Sequence, residues 1–170
     1  MQTALHKLPE LKQDYPLSPE SVASFREKGH VLLREVTTPE ETSTYRQVIS
    51  SAVERLKMEV RGGAYKKPVH ERDTYNQAFL QLENLWNQDE AVKQFSLAKR
   101  FGKIAADLLG VDAVRIYHDQ ALYKEAGGGH TPWHQDQYYW PLDTNKTVTM
   151  WMPLVDASIE MGTLVFADGT

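Results

Sequence analysis

Apolar residues recur every three to four positions through the first two thirds of this chain and alternate with polar ones through the last third. The first spacing puts one face of a helix against a core, and the second puts one face of a strand there. Ser18-Pro19-Glu20 opens a first helix, because the Ser side chain accepts from a free backbone N–H and Pro occupies a position that needs no donor. Gly29 ends it, and His30-Val-Leu-Leu-Arg-Glu-Val36 follows as a short strand of β-branched and aliphatic residues. Thr38-Pro39-Glu40 caps a second helix, whose stripe is Tyr45, Val48, Ile49, Ala52, Val53 and Leu56. Residues 61–76, with Gly62-Gly63, Pro68 and mixed charges, have no periodicity and read as a loop.

A further helical region runs from about Asp89 to Leu109, with Val92, Phe95, Phe101, Ile104, Ala105 and Leu108 as its apolar side and Gly110 as its stop. Beyond Gly110 the period changes to two. In Val111 to Lys124, the residues Val114, Ile116, His118, Gln120, Leu122 and Lys124 alternate with Arg115, Tyr117, Asp119, Ala121 and Tyr123. Thr147–Val155 and Thr163–Ala167 also read as strands, separated by Pro, Asp and Gly turns. Helices followed by antiparallel strands predict helices packed around a β-sandwich or barrel.

Composition narrows the function classes. At 170 residues the chain has room for one domain, and 41% apolar with 25% charged residues is ordinary for a folded core. The net charge is −4 with no basic block, which excludes a phosphate-neutralising surface and makes nucleic acid a poor partner. No apolar run approaches the ~20 residues of a membrane span. The N-terminal MQTALHKLPELKQDYP is too polar for a signal peptide, and the terminal DGT is no peroxisomal address. The expected location is cytoplasmic, with a small-molecule substrate and no membrane partner. Cysteine is absent, so a metal must be held by His and carboxylate.

Candidate chemistry concentrates between Gln120 and Trp151, around His134-Gln135-Asp136. In an extended strand, residues two apart face the same side, so imidazole and carboxylate converge on one ion. His-x-Asp supplies two of the three ligands of the facial triad that leaves positions on Fe(II) open for a cosubstrate and dioxygen. By itself the motif is a weak signal, for which a surface turn in which Asp caps His is the better reading. The Gly127-Gly128-Gly129 and Pro132 turn before it, the aromatic cluster Trp133, Tyr138, Tyr139 and Trp140, and the strand bearing Trp151 strengthen it, since a metal pocket needs a dry wall. The glycine triplet lacks the setting of a phosphate cradle and reads as a lid edge. His6, His30 and His70 read as surface or loop residues.

TPWHQDQYYWP, with Asp119-Gln120-Ala-Leu-Tyr-Lys124 upstream and MGTLVFADGT downstream, closely resembles the phytanoyl-CoA dioxygenase family of Fe(II)/2-oxoglutarate oxygenases. FREKGHVLLREVTTPEE and QAFLQLENLW are similar to the same family, so the resemblance covers most of the chain. It implies a mainly β fold with flanking helices, a double-stranded β-helix (jelly-roll, cupin-like) behind N-terminal helices. It implies His134 and Asp136 as catalytic iron ligands, with Gln120, Lys124, Trp151 and Gln81 lining the 2-oxoglutarate pocket and Trp133, Tyr138, Tyr139 and Trp140 facing the substrate. The implied reaction hydroxylates an unactivated C–H bond of a small organic or acyl substrate, with succinate and CO2 as co-products.

In this family the second His ligand and the Arg that pairs with 2-oxoglutarate lie well downstream of His-x-Asp. The resemblance therefore places the third ligand beyond Thr170 and reads residues 1–170 as a single, C-terminally truncated domain, helical over about 18–110 and β over about 111–170. A degenerate member, or a rearranged site using His118 or His130, stands beside that reading. Two other classes stay open: a non-catalytic jelly-roll binding or scaffold protein with an incomplete metal site, and a zinc hydrolase. In the plainer alternative, Gln120 and Trp151 are sheet residues, Lys124 is a solvated strand end, and the aromatics plug the barrel mouth.

Overall fold

The computed structural model describes residues 7–57, 67–72, 77, 79–125 and 129–169. Helix α1 spans Pro19–Lys28, with Ser18 Oγ accepting from Ser21 N–H and Gly29 closing it at φ +82°. Helix α2 spans Pro39–Leu56 and starts with a full capping box: Glu41 N–H donates to Thr38 Oγ1, and Thr38 N–H donates to the Glu41 side chain. Its expected stripe is realised in the buried Tyr45, Ile49, Ala52 and Val53.

The helical region expected from Asp89 to Leu109 is two helices, α3 over Glu90–Ser96 and α4 over Lys99–Leu109. Asp89 caps α3 through Ala91 N–H and Val92 N–H, and Gly110 ends α4 at φ +66°. The break falls at Leu97-Ala98, where Ala98 is extended (ψ 133°). It brings the Phe95 and Phe101 rings edge to face at 5.0 Å, while Phe95 also meets Tyr45 at 4.8 Å. Periodicity runs through such a break because both helices offer apolar residues to the same core.

The β part departs from expectation. Of the runs expected as strands, only Gln120–Tyr123 pairs (β2), antiparallel to β1, Leu80–Glu83, a strand the periodicity does not announce. Residues 30–36, 111–119, 147–155 and 163–167 carry no ladder. Alternation prepares a segment for a sheet, but a strand exists only where a neighbour takes its backbone hydrogen bonds in a ladder, and among the described residues no ladder runs along these segments. The expectation of a mainly β jelly roll behind N-terminal helices is thus met in its helices, and the described residues carry a two-stranded sheet in place of a barrel. The loop expected at 61–76 lies largely outside the described residues, as do Gly127 and Gly128 of the triplet. Among the described residues no helix is long and apolar enough to cross a membrane.

The register sorts the sheet into two faces. Leu80, Leu82, Ala121 and Tyr123 share one, and Gln81, Glu83, Gln120 and Leu122 share the other. The first face joins the helices in one core with Leu11, Tyr45, Ile49, Ala52, Val53, Leu85, Val92, Phe95, Ala98 and Phe101. Buried Arg100 fastens the N-terminal segment to this core. Its guanidinium is bidentate to Glu41 (2.7 and 3.1 Å) and also donates to the carbonyls of Gln13 and Val36 at 3.0 Å. The Arg100 hydrogen bond holds the Glu41 carboxyl below its ordinary pKa, against the opposing effect of burial.

Candidate metal centre

The second face of the sheet is where the polar candidates gather. Gln81 is buried, and its amide donates to Glu83 Oε1 at 3.0 Å. Gln120 lies opposite Glu83 in the register. β2 is pinned at its start by Asp119, whose carboxylate accepts from Ser96 Oγ (2.7 Å) and Trp86 N–H (3.2 Å) and whose carbonyl accepts from Asn84 N–H (2.9 Å). Just past β2, Lys124 donates to the Gly129 carbonyl at 2.8 Å, lies 5.7 Å from the Phe79 ring centre, and passes close enough to Gly162 that a Cβ there would sit 3.4 Å from its Cε. Partial burial lowers the Lys124 pKa. Gly129 N–H in turn donates to the Gln77 carbonyl at 3.0 Å, so the lysine braces the segment leading to Pro132.

From Pro132 onward the pair is set locally. Gln135 is extended (φ −114°, ψ 126°), so its two neighbours project to one side. Asp136 does not continue a strand as expected, since it opens a single 3₁₀ turn over Asp136–Tyr139. His134 Nε2 and Asp136 Oδ1 nevertheless lie 3.3 Å apart, both half-exposed. The turn is held by Gln137, whose amide donates to the Thr144 carbonyl (3.1 Å) and whose Oε1 accepts from Thr147 Oγ1 (2.6 Å).

Two contacts that sequence reasoning missed orient the pair. His134 Nδ1 lies 2.9 Å from the Pro132 carbonyl. A carbonyl can only accept, so Nδ1 carries a proton, and Nε2 is the ring nitrogen that faces Asp136. Thr149 Oγ1 donates to Asp136 Oδ2 at 2.7 Å, which leaves Oδ1 as the oxygen facing the imidazole. These are the outer contacts that fix ligand tautomer and orientation in metal sites. Pro132 had a signal, lying two residues before the His. Thr149 lies thirteen residues from Asp136 and had none beyond its place in an alternating run.

Two electron-pair donors facing each other at 3.3 Å require a proton or cation between them. An ion at the usual ~2.1 Å from imidazole nitrogen and carboxylate oxygen brings those atoms to roughly 3 Å of each other at a right angle, so the pair fits a six-coordinate divalent metal with a shift of a few tenths of an ångström. Among the described residues no group of three or more His, Cys, Asp or Glu converges. The pair thus offers two ligands, and neither His118 nor His130 joins it in such a group.

Trp133, Tyr138 and Tyr139 stand exposed around His134 and with it and Gln135 line an open groove of about 250 Å³. Tyr139 tilts toward the imidazole with ring centres 6.0 Å apart, and Tyr138 stands edge to face on Tyr139 at 5.4 Å. Trp140 turns the other way, to Tyr117 (5.8 Å) and His118 (6.0 Å). Trp151 stands part-exposed two residues beyond Thr149. The described residues thus bring His134, Asp136 and three aromatics together, and place Gln81 and Gln120 on the sheet face away from the core.

The model of the phytanoyl-CoA dioxygenase (PhyH) family matches residues 25–170, and the chain belongs to that family. No curated protein and no solved structure matches it. Membership implies a cupin-like fold and an oxygenase class that generally depends on Fe(II) and 2-oxoglutarate.

Proposed function

We propose that this member of the phytanoyl-CoA dioxygenase family is an Fe(II)- and 2-oxoglutarate-dependent dioxygenase that hydroxylates an unactivated C–H bond of a small organic or acyl substrate. The observation that carries the reading is the His134–Asp136 pair, with both outer atoms already engaged by Pro132 and Thr149 and both inner atoms directed at one point. His134 and Asp136 would hold the metal, together with a third ligand outside the group that the described residues bring together. When bound, Fe(II) supplies the coupling of 2-oxoglutarate decarboxylation to dioxygen activation that a protein side chain cannot provide.

The chain's own residues have the remaining work. Gln81, Gln120, Lys124 and Trp151 are proposed to line the cosubstrate. Lys124 would supply the positive charge: partial burial lowers its pKa, and a carboxylate partner would favour the charged form again. Trp133, Tyr138 and Tyr139 form the wall of the groove beside His134, where an apolar substrate would be oriented and water excluded. Trp140 is proposed to reach the substrate from the His118 side. The barrel of the cupin-like fold, the single-domain division at about residue 110 and a cytoplasmic location belong to the same reading.

Anaerobic addition of Fe(II) and 2-oxoglutarate to the intact protein should produce a metal-to-ligand charge-transfer band in the visible, and His134→Ala should abolish it. Absence of the band refutes the proposal. Binding without succinate release in air would instead favour the non-catalytic scaffold, and a zinc-dependent activity indifferent to 2-oxoglutarate would favour a hydrolase.

A further inference from the structure

His118 has no part in the metal pair, yet it touches both halves of the candidate site. On one side, its Nε2 lies 2.7 Å from Gln120 Nε2. An amide nitrogen can only donate, so the imidazole nitrogen accepts through its lone pair, and one Gln120 amide hydrogen is committed to it. On the other side the ring stands edge to face on Trp140 at 6.0 Å, with Tyr117 flanking it at 5.1 Å. Trp140 immediately follows the Asp136–Tyr139 turn. A single ring therefore links the β2 residue proposed for the cosubstrate to the turn that carries the proposed metal ligand.

We infer that His118 is a positioning residue for 2-oxoglutarate: its Nε2 fixes the Gln120 side-chain amide in one orientation, so that Oε1 and the second amide hydrogen are presented on the sheet face that also carries Gln81. The inference rests on the oxygenase reading of that face. A glutamine free to rotate about three side-chain bonds loses rotamer entropy when it binds a ligand, and one already held by a neighbour has lost it beforehand. The His118–Gln120 pair is exposed, and an exposed hydrogen bond adds little to folding because water replaces it readily. Its effect therefore falls on ligand binding, and replacing His118 leaves the core intact.

The test is equilibrium binding of 2-oxoglutarate to the Fe(II)-loaded full chain without oxygen, read by the charge-transfer band, for His118→Phe, His118→Gln, Gln120→Ala and the double variant His118→Phe/Gln120→Ala. Phenylalanine keeps the ring against Trp140 and removes the acceptor, whereas glutamine restores an acceptor. His118→Phe should weaken binding about fivefold, and Gln120→Ala at least as much. The double variant should be no weaker than Gln120→Ala, because residues in one hydrogen-bonded network are non-additive, and His118→Gln should recover part of the loss. A second readout needs no metal: in the ¹⁵N-labelled protein the Gln120 side-chain amide should show one proton shifted downfield, and His118→Phe should remove that shift. Unchanged affinity in His118→Phe, or additive losses in the double variant, overturns the inference while leaving the oxygenase reading in place. A wild-type chain with no 2-oxoglutarate-dependent band overturns that reading and the inference with it.

Discussion

Thr149→Val isolates the contact that aims Asp136. The substitution keeps the branched shape and removes the hydroxyl that donates to Asp136 Oδ2 at 2.7 Å. A hydrogen bond to a charged group contributes ~1.5–3 kcal/mol when it is shielded from water. The Asp136 side chain is 42% exposed, so water replaces part of the lost bond and the effect falls to the lower end. About 1.4 kcal/mol is a tenfold loss of metal affinity, at the lower edge of the ~10–100-fold range for residues that orient metal ligands. The loss has a geometric cause, because a carboxylate released from Thr149 can rotate Oδ1 away from His134 Nε2. The assay is anaerobic calorimetric titration of Fe(II), or Co(II) as a stable substitute, into the metal-free chain. Circular dichroism melting should confirm an unchanged fold, and Thr149→Ser should bind within about twofold of wild type, since it keeps the hydroxyl. A Thr149→Val chain that binds as tightly as wild type would refute the claim that this contact sets the pair.

Three further outcomes follow from the core and the sheet. Leu82 is 1% exposed at the centre of the core face of β1, so Leu82→Ala should cost ~2–5 kcal/mol in urea unfolding; a loss within ~0.5 kcal/mol would show that the sheet is not packed on the helices. Glu41→Gln leaves buried Arg100 without its carboxylate and should destabilise by ~3–5 kcal/mol at neutral pH. Because the Arg100 hydrogen bond depresses the Glu41 pKa in the folded state, its contribution is complete above the ordinary value of 4.5 and disappears as pH falls through the lower folded value; wild type should therefore lose more stability on acidification than the variant, and parallel pH profiles would exclude the pairing. Lys124, whose pKa burial lowers, should take up a proton when an anionic cosubstrate binds at alkaline pH, detectable by calorimetry in two buffers of different ionisation enthalpy, and equal heats would place Lys124 away from the ligand.

What the sequence makes legible here is local. Ser18-Pro19 and the Thr38–Glu41 box satisfy backbone donors within one turn, so α1 and α2 begin where the residues say they must. Gly29 and Gly110 end helices at positive φ, which a residue without a Cβ adopts at no steric cost. The strand β1 is not legible, because Leu-Gln-Leu-Glu is too short for a period and its partner lies almost forty residues away, at Gln120–Tyr123. The break at Leu97-Ala98 is likewise invisible, as it is decided by how Phe95 and Phe101 share the core rather than by a breaker residue. In the alternating runs the opposite failure occurs: residues 147–155 and 163–167 have the right pattern and no ladder, because the pattern describes one strand and the hydrogen bonds belong to two.

The metal pair survives these departures for a reason that can be traced residue by residue. His134 and Asp136 converge through a single extended residue, Gln135, whether or not a strand continues beyond it. The imidazole is fixed by a carbonyl two residues before it, and the turn by Gln137, whose partners Thr144 and Thr147 lie within ten residues. Among the described residues, only Thr149 reaches the pair from farther along the chain. The geometry that offers two ligands is therefore encoded within a short segment outside the buried core, and core damage and site damage should separate. Leu82→Ala should lower the melting temperature with little change in metal affinity below it, and Thr149→Val should do the reverse. Metal affinity that fell in step with Leu82→Ala would show that the pair is held by the sheet and helices rather than by its own neighbours.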